Sequence, residues 1–142
     1  VFGQVNSHPN ITRGELRFGL QYLKQNAVGT GGAIDNAIEH KYVTSNDNIS
    51  IVSTRITWAL KQFSFGLNGL KTFGEGRFIF PREWGREQFF TTVSRGRIEG
   101  AGNVSVVMLK SRYKPIKHEC VTIDFAGGYF SFPYIDNYAL NT

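Results

Sequence analysis

Five arginines fall between residues 77 and 97, namely Arg77, Arg82, Arg86, Arg95 and Arg97, and no lysine stands among them. Glu75, Glu83, Glu87 and Glu99 are interleaved with them. A guanidinium stays ionised at any physiological pH and offers a planar fork to carboxylates and other anions. The stretch is thus chemically suited to contact with small, carboxylate-bearing or anionic solutes. A plainer reading has Arg82 pair with Glu83 and Arg86 with Glu87, which would simply brace the loop. Arg95 and Arg97 have fewer acidic neighbours and are the better candidates for solute contact, with Arg17 and Arg55 added from strands elsewhere. Trp84, Phe89 and Phe90 could stack on exposed bases, but four glutamates would repel a phosphate backbone, so no nucleic-acid partner is expected.

The remaining constellations carry little chemistry. His118-Glu119-Cys120 has metal-type donors, yet neighbours on a strand point to opposite faces and cannot converge on one ion. His8 and His40 have no partner at a useful spacing. Gly29-Thr30-Gly31-Gly32 lacks the Lys-Ser/Thr that a phosphate-binding loop needs. Ser45-Asn46-Asp47-Asn48 lacks the spaced oxygen ligands of a Ca²⁺ loop. Three sequons, at Asn10, Asn48 and Asn103, exceed chance only slightly. No Ser/His/Asp set, carboxylate pair or Cys/His pair stands out, so neither catalysis, nor a cofactor, nor a metal is expected.

The elements that must position these residues are strands. The chain has 142 residues, which suits one domain, with 41% hydrophobic and 19% charged residues. Sixteen glycines and 14% aromatics favour strands and turns over helices. The net charge of +5 is spread along the chain without a basic run. No apolar run approaches the ~18 residues of a spanning helix. A single cysteine, Cys120, cannot form an internal disulfide. The chain begins at Val1 with no leader before it, which suggests a mature or partial chain.

Alternation at a period of two recurs along the chain. Over 12–23, Leu16, Phe18, Leu20 and Tyr22 share a face opposite Arg17, Gly19 and Gln21. Over 49–61, Val52, Ile56, Trp58 and Leu60 oppose Ser53, Arg55 and Thr57. Over 63–73, Phe63, Phe65 and Leu67 oppose Ser64, Gly66 and Asn68. Over 119–129, Val121, Ile123, Phe125 and Tyr129 oppose Cys120, Thr122, Asp124 and Ala126. A fifth strand, 103–113, has no settled register, because Val104, Val106 and Met108 compete with Val107, Leu109 and Tyr113. Short turns are expected at Lys61-Gln62 and at 114–118, and long connections at 24–48, 74–102 and beyond 132.

Two architectures share this pattern. In an antiparallel sandwich, such as a soluble or secreted binding or adhesion module, the apolar face turns inward. In an outer-membrane barrel it meets lipid, the other face meets water, and connections are short on one side and long on the other. Strands of about 10–12 residues match the ~9–11 that cross a bilayer at a tilt. Tyr22, Trp58, Phe63, Tyr113 and Tyr129 sit toward strand ends, where aromatic girdles lie. In the barrel, Leu16, Phe18, Leu20, Val52, Ile56, Phe63, Phe65, Leu67, Val121, Ile123 and Phe125 would contact lipid, while Arg17, Gln21, Arg55, Asn68 and Asp124 would point into water.

The chain resembles the OprD-type outer membrane porins, in particular their Bacteroidetes-like branch. The resemblance is carried by Phe80-Pro81-Arg82-Glu83-Trp84-Gly85-Arg86-Glu87, by Phe89-Phe90-Thr91, by Arg95, Arg97, Glu99-Gly100 and Gly102 before a Val-rich strand, and by Asp136-Asn137-Tyr138-Ala139-Leu140-Asn141. It is strongest over 77–142; upstream only strand pattern and loop order agree. Gln88, Gly96, Ile98 and Asn103 depart from the family pattern. The resemblance implies an all-β antiparallel transmembrane barrel of about 18 strands in the Gram-negative outer membrane, through which small, often carboxylate-bearing solutes diffuse passively. About five strands cannot close such a barrel, so the 142 residues would be one part of a single barrel domain in a longer chain. The implied partners are outer-membrane lipid and lipopolysaccharide, small solutes, the rest of the same barrel, and further copies or a larger envelope complex in which the barrel has a structural role. The short turns would be periplasmic, and the loop holding the five arginines could fold toward the lumen.

Overall fold

A computed structural model describes residues 2–11, 14–26, 48–76, 78–79, 88–92, 98, 100–115 and 121–132. They form one open antiparallel sheet, and no helix occurs among the described residues. Its strands are β1 (Phe2–Ser7), β2 (Asn10–Ile11), β3 (Gly14–Asn26), β4 (Asn48–Ala59), β5 (Phe63–Glu75), β6 (Ser105–Tyr113) and β7 (Ile123–Ser131). β1 and β2 both pair with β3, so the sheet has six lanes and its first lane breaks at His8-Pro9. Proline lacks an N–H and is tolerated at such an edge. Its carbonyl still accepts from the Leu16 N–H at 3.1 Å.

Five strands were expected and the edge lane was not. Phe2 to Ser7 does not separate apolar from polar residues by face, so it gives no amphipathic signal. The last strand starts at Ile123 rather than 119, which makes the connection before it 114–122. The turn at Lys61-Gln62 is present: the Leu60 N–H donates to the Phe63 carbonyl at 2.7 Å. Short connections lie at one end of the sheet, and the long ones, 27–47 and 76–104, at the other.

The register separates two unlike faces. On the outer one, Phe18, Ile56, Leu67 and Leu109 are successive direct partners across four strands. All four are exposed, as are Leu20, Trp58, Phe65, Val107, Ile123 and Phe125. Leu16 and Val52 share this face and are half-buried. Phe63 stacks on Tyr113 with ring centroids 4.5 Å apart, at the short-connection end. Tyr22, Phe73 and Tyr129 lie toward the other end. From Phe65 to Phe73 is about 27 Å along the strand at ~3.4 Å per residue.

The inner face is divided along its length. Near the long connections it carries Ile49, Ile51, Leu70 and Val106, which pack with Val104 against Phe78, Phe89, Ile98 and Ala101 of the 76–104 connection. The connection can fold back over the sheet because Gly74 and Gly76 adopt φ of 97° and 111°, a region costly for other residues. Phe78 then pairs with the far limb, its N–H donating to Ala101 and its carbonyl accepting from Gly100. The register of β6 is thereby settled. Val106 and Met108 face the covering loop while Val107 and Leu109 face outward, so both of its apolar sets are used.

Candidate functional site: a cationic cleft beneath the covering loop

Toward the short connections the inner face becomes polar and charged. Arg17, Thr57, Gly66 and Lys110 form one direct row across β3, β4, β5 and β6. Arg55 and Asn68 pair in the next row, and Arg112 pairs with Asp124 in the row at the sheet's end. Together with His8 and the rings of Phe89 and Phe90 they line an open cleft of about 660 Å³.

Phe90 closes the cleft against the covered half. Its N–H donates to Gln21 Oε1 at 3.2 Å and to Ser53 Oγ at 3.3 Å. Its carbonyl accepts from Asn68 Nδ2 at 3.0 Å and from Lys110 Nζ at 2.6 Å. Gln21 also donates to the Gln88 carbonyl at 2.9 Å. Further along, Gln25 accepts from the Ile79 N–H and donates to the Ile79 carbonyl, both at 3.1 Å. These strand amides satisfy loop backbone groups that would otherwise be orphaned against the sheet. Gln21 and Asn68 were expected to meet water; both are only 2% exposed, because residues 88–90 lie on them.

Charge in the cleft is partly paired. Arg112 grips Asp124 through Nε at 2.5 Å and Nη2 at 3.2 Å, a bidentate contact linking β6 to β7. Glu15 accepts from Arg17 at 2.7 Å and lies 3.2 Å from His8 Nδ1. Arg55 and Lys110 have no carboxylate within salt-bridge distance among the described residues. The Arg55 guanidinium lies 4.3 Å from the centroid of the Phe90 ring and donates to Asn6 Oδ1 at 3.1 Å. Its Nε is buried and finds no partner among the described residues. The cleft thus combines two cations that no described carboxylate compensates, two cations held by carboxylates, and an aromatic wall. Such a surface attracts anions, and the low-dielectric wall strengthens the attraction over that in open water.

Of the arginines singled out by sequence, Arg17 and Arg55 are in the cleft. Arg77, Arg82, Arg86, Arg95 and Arg97 lie outside the described residues, as do His40, His118, Cys120, the Gly29–Gly32 cluster, Ser45–Asp47 and Asp136–Asn141. Sequence reasoning missed Lys110 because β6 had no settled register, and Arg112 for the same reason. The pairing of β5 with β6 supplies that signal, since it puts Lys110 opposite Gly66 and Met108 opposite Asn68. No group of three His, Cys, Asp or Glu side chains suited to a metal occurs among the described residues. Comparisons with protein-family models, with curated proteins and with solved structures find no match to this chain.

Proposed function

We propose that these residues form part of the wall of an outer-membrane β-barrel porin, with the cleft as a stretch of its diffusion path for small anionic or carboxylate-bearing solutes. The observation that carries this reading is the gathering of most described charge on one face, with Lys24 and Lys71 at the long-connection end of the other as the exceptions. Arg17, Glu15, Arg55, Lys110, Arg112 and Asp124 all occupy the inner face by register. The opposite face presents a continuous row of exposed Phe, Ile, Leu and Trp side chains. Water would oppose exposure of an apolar area this large, whereas a bilayer accepts it. The strand lengths, the aromatic residues toward both ends of the apolar band, and the long connections gathered at one end also favour this reading.

In this arrangement residues 88–90 narrow the path and Arg55 and Lys110 bias it toward anions. Passage needs no catalytic group: a solute is drawn by the cations, partly desolvated beside Phe90, and released because no single contact holds it tightly. A soluble sandwich module is the competing architecture, and it would have to cover the same apolar face with a second sheet. Expression of the complete reading frame in a Gram-negative host separates the two. A porin partitions with detergent-extracted outer membrane and migrates differently on a gel before and after boiling. Recovery in the aqueous fraction without detergent contradicts the reading.

A further inference from the structure

Residues 89 and 90 are held to the inner face in unlike ways. Phe89 is buried in the apolar cluster, its ring edge-on to Phe78 with centroids 5.5 Å apart. Phe90 is half-buried, and polar groups hold it: Gln21 and Ser53 at its N–H, Asn68 and Lys110 at its carbonyl, the Arg55 guanidinium at its ring. Uncovering an apolar anchor costs free energy in proportion to its area. A hydrogen bond can be exchanged for another with little net loss. Phe89 is therefore an anchor and Phe90 a latch.

The latch occupies the groups that should meet the solute. Asn68 Nδ2 and Lys110 Nζ converge on one oxygen, the Phe90 carbonyl, at 3.0 Å and 2.6 Å. Two such donors, one of them an ammonium, make a cradle for an oxyanion, and here a neutral backbone oxygen fills it. A charge-assisted bond to a carboxylate is roughly twice as strong as one to a neutral acceptor, so a carboxylate within reach outcompetes the carbonyl. Chloride is larger and a weaker acceptor than a carboxylate oxygen.

The closed latch is also incompletely satisfied. Among the described residues, the buried side-chain polar atoms without a partner are Arg55 Nε, Asn68 Oδ1 and Thr92 Oγ1. Arg55 and Asn68 both hold Phe90, and Thr92 lies two residues beyond it, its N–H donating to the Phe89 carbonyl at 3.0 Å. Orphaned polar atoms oppose the state that buries them, and water or a solute oxygen relieves them once they are uncovered.

We propose that the Phe90 carbonyl is a built-in stand-in for the solute's carboxylate: an arriving carboxylate takes Lys110 and Asn68 from it, Phe90 lifts about the Phe89 anchor, and the path widens. The carboxylate meets both donors only in the lifted state, so its binding shifts the equilibrium that way. The inference rests on the porin reading and makes the solute the regulator of its own passage.

The test records the complete protein in planar bilayers, in chloride and in acetate salts at one ionic strength. The quantity read is the ratio of time in a wide conductance state to time in a narrow one. The expected result is a ratio that rises in acetate on the order of fivefold or more for the parent. The rise is lost in Lys110→Met and reduced in Asn68→Leu. Each protein is first shown to have the boiling-dependent gel shift. Equal ratios in acetate and chloride, a single conductance level in both included, overturn the proposal. An acetate response kept in full in either variant overturns the assignment to this latch. If the protein is instead water-soluble, with no gel shift and no channel, the porin reading itself has failed, a result distinct from loss of the latch.

Discussion

The Phe90 ring occupies the space that a side chain on Gly19 would need. A Cβ built at Gly19 would stand 2.6 Å from Phe90 Cζ and 2.8 Å from Cε2. Glycine at this position of β3 therefore lets the covering loop descend onto the inner face, where the backbone of Phe90 meets Gln21, Ser53, Asn68 and Lys110. Gly19→Ala forces the ring outward and should cost about 1–3 kcal/mol, the usual range for overpacking. In the complete protein it should raise single-channel conductance and expose the 88–92 segment to protease while the barrel still forms. Unaltered conductance and protease resistance would show that Phe90 does not set the passage width.

Arg55 and Lys110 carry charge in the cleft that no described carboxylate balances. Arg55→Gln/Lys110→Gln should shift the reversal potential in a salt gradient toward cations. At contact distance each lost charge removes about 1 kcal/mol of attraction even with water-like screening, roughly fivefold in local anion occupancy. Arg95→Gln/Arg97→Gln is the comparison. A shift from that pair, with none from the strand pair, would assign the filter to the loop arginines.

Adjacent residues on β4 face opposite environments, so substitutions there read out the two faces directly. Ile56 is exposed on the apolar face, and Thr57 lines the cleft. Ile56→Arg should cost ~2–4 kcal/mol if placed near the bilayer midplane, whereas Thr57→Arg should be tolerated. Yield of heat-modifiable protein in the outer membrane is the measurement. Equal yields, or the reverse order, argue for a sandwich.

Asp124 neutralises Arg112 across two exposed side chains, and exposed pairs add little to stability. Asp124→Asn should leave the unfolding temperature in detergent unchanged yet strengthen anion preference, because Arg112 then faces the cleft unopposed. A marked loss of stability with unchanged selectivity would make the pair structural.

Much of the sheet was readable because amphipathic strands advertise themselves. Phe18 to Tyr22, Ile56 to Trp58 and Phe63 to Leu67 alternate as their faces require. Where both faces are apolar the signal fades. Ile49, Ile51 and Val106 are apolar on the inner face because Phe78, Phe89 and Ile98 cover it, a contact no periodicity in one segment can disclose. Gln21 and Asn68 mislead for the converse reason: they are polar to serve loop backbone groups, not solvent. The cleft was half legible. Arg17 and Arg55 stand out as cations on amphipathic strands, while Lys110 joins them only through the β5–β6 register.

The central claim is that one face of this sheet meets lipid and the other water, and β5 is where it is tested most directly. Single cysteines for spin labelling would be placed along β5 of the complete protein, as Phe65→Cys, Gly66→Cys, Leu67→Cys, Asn68→Cys and Gly69→Cys, with the native thiol removed by Cys120→Ser. In reconstituted vesicles, accessibility to oxygen, which concentrates in the bilayer, is compared with accessibility to a water-soluble paramagnetic reagent. The account predicts a two-residue period, with oxygen contact at 65, 67 and 69 and little at 66 and 68. Oxygen contact without that alternation, or access of the aqueous reagent to 65, 67 and 69, would contradict it.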